Sequence, residues 1–578
     1  MDLRKHARLS LRFLEASTNP LMQDLPYFWI DFVRNPPEFV HCMLFDDVED
    51  LGRWLYAIKA AQVVSGTDQA EGTRQAMIRE IDRRRTGPYN LVYTSPYSET
   101  FCRGFYGHHA WLWGNRSVLQ GWVLSFRFAS DDREREEMKQ RIDAMVSGLN
   151  EFVVRIDDCV HFPSLTPSKD FRKRDDYIPP REAAAEHWDA MYGMCLPDDP
   201  RMLPHISDSV GGMIAPLVQW HELTGNPTAL DLAVGISRTM VKHHHTKGCL
   251  TNPIGCFSNN HGVLNAVTGV LAANRHVPNR RHLIWAKTLW EYYVARCASS
   301  FGWAPENETV DCTRPLERPS CEGCATVDMV RAGVELGRAG FVESWDMVER
   351  FTRNYMTQAQ IQHPVAPFSL QGVPLNDVSR DGIECEPEAL RDRRDIHSRC
   401  VGALAGWGAP NDVLDPHGRF AMCIQNCCSG HLPLGMLDVW EQTAVREPDG
   451  IRVNLLFDHE NDDCSVKDHQ PAEGRLDVRM KRAGAVRVRI PDWAPDAKVK
   501  ISVDGRVVPT AWEDRPSRYV RVPDVAAGGT VTVNYPLREQ TVTERLGGEL
   551  YTTCWKGDTV VDIDPPGRFI PLFRPQKD

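Results

Sequence analysis

Between about residue 45 and residue 440, apolar side chains recur at steps of three and four. Met138, Ile142, Met145, Val146 and Leu149 fall on one face of a helix. The acidic stretch from Asp131 to Glu137 ahead of them suits a helix start, where carboxylates meet the positive end of the dipole. A second stripe, Phe341, Val342, Trp345, Val348, Phe351 and Tyr355, leaves Glu343, Asp346 and Arg353 to water. Short loops such as Ser65-Gly66-Thr67-Asp68, Thr224-Gly225-Asn226-Pro227 and Leu336-Gly337-Arg338-Ala339-Gly340 punctuate the helical stretches. Helical hairpins in series predict a toroid or a solenoid.

Beyond about Asp449 the period changes to two. Val486 to Ile490, Val499 to Val503, Val531 to Tyr535 and Thr559 to Val561 read as strands. Turns at Asp504-Gly505, Gly528-Gly529 and Gly547-Gly548 separate them, and Pro491 and Pro536 each close a strand. The expectation is a separate all-β domain, a β-sandwich.

Composition narrows the function. The 578 residues are 42% hydrophobic and 25% charged, with a net charge of -11 and no long block of one sign. That argues against nucleic acid or an anionic membrane as partner, since either asks for a concentrated basic face. Arg83-Arg84-Arg85 reads as a solvated helix end, and His243-His244-His245 as a surface feature, because consecutive helical side chains point in different directions. Met1 to Pro20 lacks the apolar core of a signal peptide, and no apolar run is long enough to span a bilayer. Seventeen cysteines without regular spacing suggest free thiols in a reducing compartment, the cytoplasm.

The candidate chemistry is a pair of adjacent cysteines, Cys427 and Cys428, with Cys321, Glu322 and Cys324 upstream. Two zinc sets are open. Cys321, Cys324, Cys427 and Cys428 make a closed four-thiolate staple; Glu322 in place of Cys321 gives three sulfurs and a carboxylate, from which one thiolate is easier to release toward a substrate. A metal-held thiolate attacks a saturated carbon if a nearby acid protonates the leaving group. Glu306, flanked by Trp303 and Pro305, is placed to be partly desolvated and so to hold a proton. The aromatic run from Phe105 to Trp113 suits either sugar stacking or helix packing.

These segments resemble glycoside hydrolase family 127, the zinc-thiolate β-L-arabinofuranosidases. The family's Cys-Glu-Thr-Cys-Ala is matched by Cys321-Glu322-Gly323-Cys324-Ala325, and its Cys-Cys pair by Cys427-Cys428. The resemblance implies zinc on Glu322, Cys324, Cys427 and Cys428, with Cys427 as nucleophile. It makes Glu306, sixteen positions before Glu322, the general acid/base. It also suggests sugar contacts from His261 and Glu349. It implies an (α/α)6 toroid over residues 1–445 followed by a jelly-roll-like β-sandwich over 446–578, an oligosaccharide substrate of plant type, retention of configuration, and an assembly open to a homodimer. The likeness runs from about residue 100 to the end. Ser429-Gly430-His431 replaces the family's Pro-Pro-Asn, Gly212 stands where a pocket histidine is expected, and the segment from about 366 to 399 is longer. Those departures leave two other classes open: a lyase or unsaturated-uronyl hydrolase, which needs a basic uronate pocket, and a carbohydrate-binding protein with structural zinc.

Overall fold

The computed structural model describes residues 1–41, 47–94, 110–162, 210–243, 260–305, 316, 320–375, 391–418, 420–514 and 518–573. The helix predicted from the first stripe runs Asp132–Phe152 and buries Met138, Ile142, Met145, Val146 and Leu149. Asp131 caps it, its carboxylate accepting the Glu134 N–H at 2.8 Å. The second stripe forms Ser344–Phe351 and the π-helical turn Thr352–Met356. Arg353 departs from expectation. Instead of facing water it is 1% exposed, because Glu349 and Asp468 each accept from it at 2.9 Å.

Six helices pack in a closed order. Asp47–Ser65 meets Leu112–Arg127, which meets Ile214–Thr224, then Asn260–His276, Gly323–Arg338 and Asn426–Thr443, and the last returns to the first. Each has a partner on the outside: Glu71–Arg83, Asp132–Phe152, Pro227–His243, Arg280–Arg296, Ser344–Phe351 and Leu3–Ala16 respectively. Burial follows the layering. Every residue from Asn260 to Ala273 is buried, whereas the outer Asp132–Phe152 helix buries one stripe. Close approach of the first two inner helices depends on Gly52, where a Cβ would stand 2.4 Å from the Val118 nitrogen.

Two C-terminal sheets share an apolar core that includes Val453, Leu476, Val478, Val486, Val531 and Val533. One has five strands in the order Ala444–Glu447, Gly450–Val453, Gly484–Arg489, Tyr519–Val525, Trp512–Asp514; its Gly450–Val453 and Gly484–Arg489 strands are parallel. The other has six antiparallel strands, including Arg475–Met480, Thr530–Asn534 and Lys500–Val503. The final sheet, Glu539–Leu546, Glu549–Lys556 and Thr559–Asp564, behaves differently: Trp555, Val560 and Ile563 join the helical core. A small sheet places Trp29–Asp31 between Glu38–Val40 and Cys423–Gln425. Among the described residues no helix is long and apolar enough to cross a membrane.

Candidate functional site

The two thiol segments are built alike. The short strand Cys321–Glu322 runs directly into the helix Gly323–Arg338, and the strand Cys423–Gln425 runs directly into Asn426–Thr443. Cys324 and Cys427 are therefore each the second residue of an inner helix, where unpaired backbone N–H groups and the dipole favour a thiolate. The second strand is held from across the chain. Asn426 donates through its backbone N–H to the Phe28 carbonyl at 2.6 Å and through its side chain to the Tyr27 carbonyl at 2.8 Å.

This construction brings Glu322, Cys324, Cys427 and Cys428 together, all buried, with their ligand atoms within 4.8 Å of one another. The Cys427 thiol lies 3.7 Å from Glu322 Oε1 and 3.9 Å from Cys428 Sγ. Burial works against ionising any of the three thiols, but hydrogen bonds from Cys427 and Cys428 and the Arg53 guanidinium hold Cys324 well below the usual thiol range. Burial and the neighbouring Cys324 charge push Cys427 and Cys428 up. Cys321 is not part of the group. Its sulfur does not converge with the other four ligand atoms, and burial pushes its thiol up to about 12. Of the two zinc sets open in the sequence, the geometry therefore assembles the one with Glu322. Cys321→Ala is expected to leave bound zinc unchanged by metal analysis, whereas Cys324→Ala lowers it; equal loss in both variants would restore the four-thiolate set.

Arg53 had no signal in the sequence, since it reaches the thiols from a helix 271 residues away. Its Nη1 donates to Cys324 Sγ at 3.4 Å and to the Cys427 carbonyl at 2.9 Å, and Glu49 one turn earlier balances its charge. The Asn426–Thr443 helix comes this close because of Gly430, whose Cβ would meet that of Arg53 at 3.1 Å.

Behind Arg53 lies His261, with Arg53 Nη2 at 2.9 Å from its Nε2 and Asp328 at its Nδ1. Asp328 draws the His261 pKa upward against the effect of burial. A guanidinium has only hydrogens to offer, however, so the network assigns Nε2 as acceptor and places the ring proton on Nδ1. Asp328 Oδ1 also pairs with His431 Nε2 at 2.7 Å, and Tyr56 closes the chain with its hydroxyl 2.9 Å from His431 Nδ1. Burial pushes His431 down to about 4. His261, Asp328 and His431 could by position hold a second ion. Their nitrogens are already engaged, and Arg53 and Arg331 stand against them, so the donor set suits a hydrogen-bonded relay better than a cation. Asp328 and His431 follow Cys324 and Cys427 by one helical turn. That i, i+4 spacing was the available signal for both.

Glu349 lies elsewhere. Its carboxylate accepts from Arg353 at 2.9 Å, from Arg489, and from the Leu456 backbone N–H at 3.2 Å, joining a helix to the C-terminal sheets. Glu306, Phe105 to His109 and His244-His245 fall outside the described residues. From the aromatic run, Trp113 packs edge-on to His261 at 5.4 Å and carries Arg116 over its ring at 3.6 Å.

No protein-family model matches the chain, and no curated protein matches it. Among solved structures, a GH127 β-L-arabinofuranosidase from Geobacillus stearothermophilus T6 aligns with a TM-score of 0.58 at 14% identity, over 96% of this chain and 80% of that one. Another GH127 β-arabinofuranosidase aligns at 0.59 and 11% identity, over 89% and 76%. A glycoside hydrolase aligns at 0.55 and 12% identity, over 90% and 78%. By this likeness the chain has the fold of these GH127 enzymes.

Proposed function

We propose that the protein is a retaining, exo-acting glycoside hydrolase that removes a terminal sugar, β-L-arabinofuranose or a related one, from plant-type oligosaccharides. The observation that carries this reading is the buried group of three thiols and one carboxylate at the starts of two inner helices. The closed order of inner and outer helices supports an (α/α)6 toroid over residues 1–445, and the two sheets with a shared core support the β-sandwich of the second domain.

Three sulfurs and a carboxylate suit tetrahedral zinc, and we assign Glu322, Cys324, Cys427 and Cys428 as its ligands. When bound, zinc supplies the positive charge that keeps the cysteines ionised at neutral pH and makes sulfur a workable leaving group. Cys427 Sγ then attacks the anomeric carbon, forming a C–S bond as the glycosidic C–O bond breaks, and Glu306 gives its proton to the departing oxygen. In the second half Glu306 takes a proton from water, whose oxygen displaces the sulfur from the same carbon. Two inversions leave the configuration retained. Glu306 takes its role from the family resemblance. The residue before it, Pro305, bridges to Cys321 beside Glu322 and accepts from the Asn260 side chain at 2.8 Å. His261, fully buried with both nitrogens engaged, is assigned to fixing Arg53 against the thiols.

The test is hydrolysis of a panel of 4-nitrophenyl furanosides and pyranosides by reduced, zinc-loaded protein, with Cys427→Ser and Glu306→Gln beside it. At least one glycoside is expected to be cleaved, with chelation taking the rate to background and added zinc restoring it. Cleavage that survives both substitutions would overturn the assignment.

A further inference from the structure

Cys324 and Cys427 are matched in place, each the second residue of an inner helix that follows a short strand, so the helix dipoles do not tell the two sulfurs apart. Arg53 does. Its Nη1 donates to Cys324 at the sulfur, 3.4 Å away, but to Cys427 at the backbone carbonyl, 2.9 Å away. Among the described residues, Cys427 Sγ has hydrogen bonds to Glu322 and Cys428, both fellow ligands in the proposed zinc group. A shared ion replaces those contacts, because thiol protons leave as the metal binds. The bond from Arg53 uses a hydrogen on nitrogen and needs no thiol proton, so it persists on Cys324.

The guanidinium has little freedom to let go. It is 1% exposed, Nε and Nη2 both meet Glu49 Oε1, and Nη2 lies 2.9 Å from His261 Nε2. Asp328 holds His261 from its other side and reaches His431 at 2.7 Å. Asp328 and His431 stand one turn beyond Cys324 and Cys427, so both thiol-bearing helices fix the guanidinium that bonds only one of their sulfurs. A hydrogen bond from a cation occupies a lone pair of that sulfur and draws charge from it, which lowers its reactivity toward carbon. Three thiolates and a carboxylate also outweigh a divalent ion, so the bond sets positive charge beside a group of net negative charge.

We propose that Arg53 selects the attacking sulfur: its bond makes Cys324 a fixed ligand and leaves the attack on the anomeric carbon to Cys427. The inference rests on the hydrolase reading above and deepens it. Arg53 acts through the sulfur it holds and is a positioning residue. Glu49 and His261 serve it in turn, by keeping the guanidinium turned toward Cys324.

The experiment treats the full chain, reduced and zinc-loaded, with iodoacetamide, whose methylene carbon takes a thiolate as iodide leaves. Peptide fragmentation locates the label. Cys427 is expected to be alkylated about tenfold or more faster than Cys324, the scale of a hydrogen bond to an ion. In Arg53→Gln the ratio falls toward one as Cys324 gains reactivity, while Arg53→Lys, which keeps the charge but not the planar fork, retains part of it. Cobalt substitution gives a second readout. The thiolate-to-metal band is expected to move to longer wavelength in Arg53→Gln, since an unbonded sulfur gives up charge more readily, and to move less in Arg53→Lys. Equal labelling of Cys324 and Cys427 in the parent protein overturns the proposal before any variant is made. So does a ratio or a band unchanged in Arg53→Gln, or a band lost alike in both variants, the mark of a residue that only supports the fold. Glycoside cleavage together with a ratio unchanged in Arg53→Gln overturns the role of Arg53 and leaves the hydrolase reading standing. A ratio that Arg53→Gln abolishes, in a protein whose parent cleaves no glycoside, supports that role and removes the hydrolase reading.

Discussion

Replacing Cys427 by serine is expected to lower turnover by about 10⁵-fold or more, the scale on which loss of a nucleophile removes catalysis, while the protein stays folded. The hydroxyl is nearly isosteric with the thiol, so the Arg53 contact to the Cys427 backbone carbonyl is kept. It is also a poor ligand for a soft site. Zinc affinity is expected to fall beyond the ~10–100-fold typical of an outer partner. The two consequences separate in a cobalt-substituted protein. Its thiolate-to-metal absorbance should drop in Cys427→Ser and persist in Glu306→Gln, although both variants are inactive. An active Cys427→Ser protein would show that the thiol serves the fold only.

The second large effect is one of stability. Glu349→Gln leaves Arg353 and Arg489, both almost wholly buried, with Asp468 and Asp346 as their remaining carboxylate partners among the described residues. Removing one member of a buried charge cluster costs about 3–5 kcal/mol, because the remaining charges cannot recover water. Urea denaturation of the variant should show an unfolding free energy lower by that amount, and so a lower midpoint, with KM for any cleaved glycoside within about twofold of the parent. A stable variant with a greatly raised KM would return Glu349 to the sugar. The same substitution therefore measures how far the helices depend on the sheets behind them.

What could be read in advance divides along physical lines. The metal-type group rests on side chains close together in sequence, Glu322 with Cys324 and Cys427 with Cys428, so spacing alone singled it out. Asp328 and His431 were one step of helical arithmetic away. Arg53 and Arg116 were not accessible by any such rule, because each comes to the site from another helix, and periodicity records which face is buried without recording what it meets. Arg353 shows the reverse error. A charged residue on a helix is normally solvated, and Arg353 is buried because Asp468, from a distant strand, joins Glu349 one turn away in accepting from it. The last sheet is a third case: period two marks its strands, but nothing in that pattern tells whether they pack on other strands or, as Trp555 and Ile563 do, on helices.

The small sheet that holds the thiol strand also sets an order of events during synthesis. Asp31 and Cys423, neighbours in that sheet, are 392 residues apart in the chain. At ribosomal rates of about 5–20 residues per second, Trp29–Asp31 leaves the exit tunnel roughly 20 to 80 s before its partner strand exists. Through that interval Trp29, Ile30 and Phe32, all buried in the finished fold, have no final place to pack. The nascent chain is thus expected to lean on chaperones for longer than a protein of this size whose neighbours in space are neighbours in sequence.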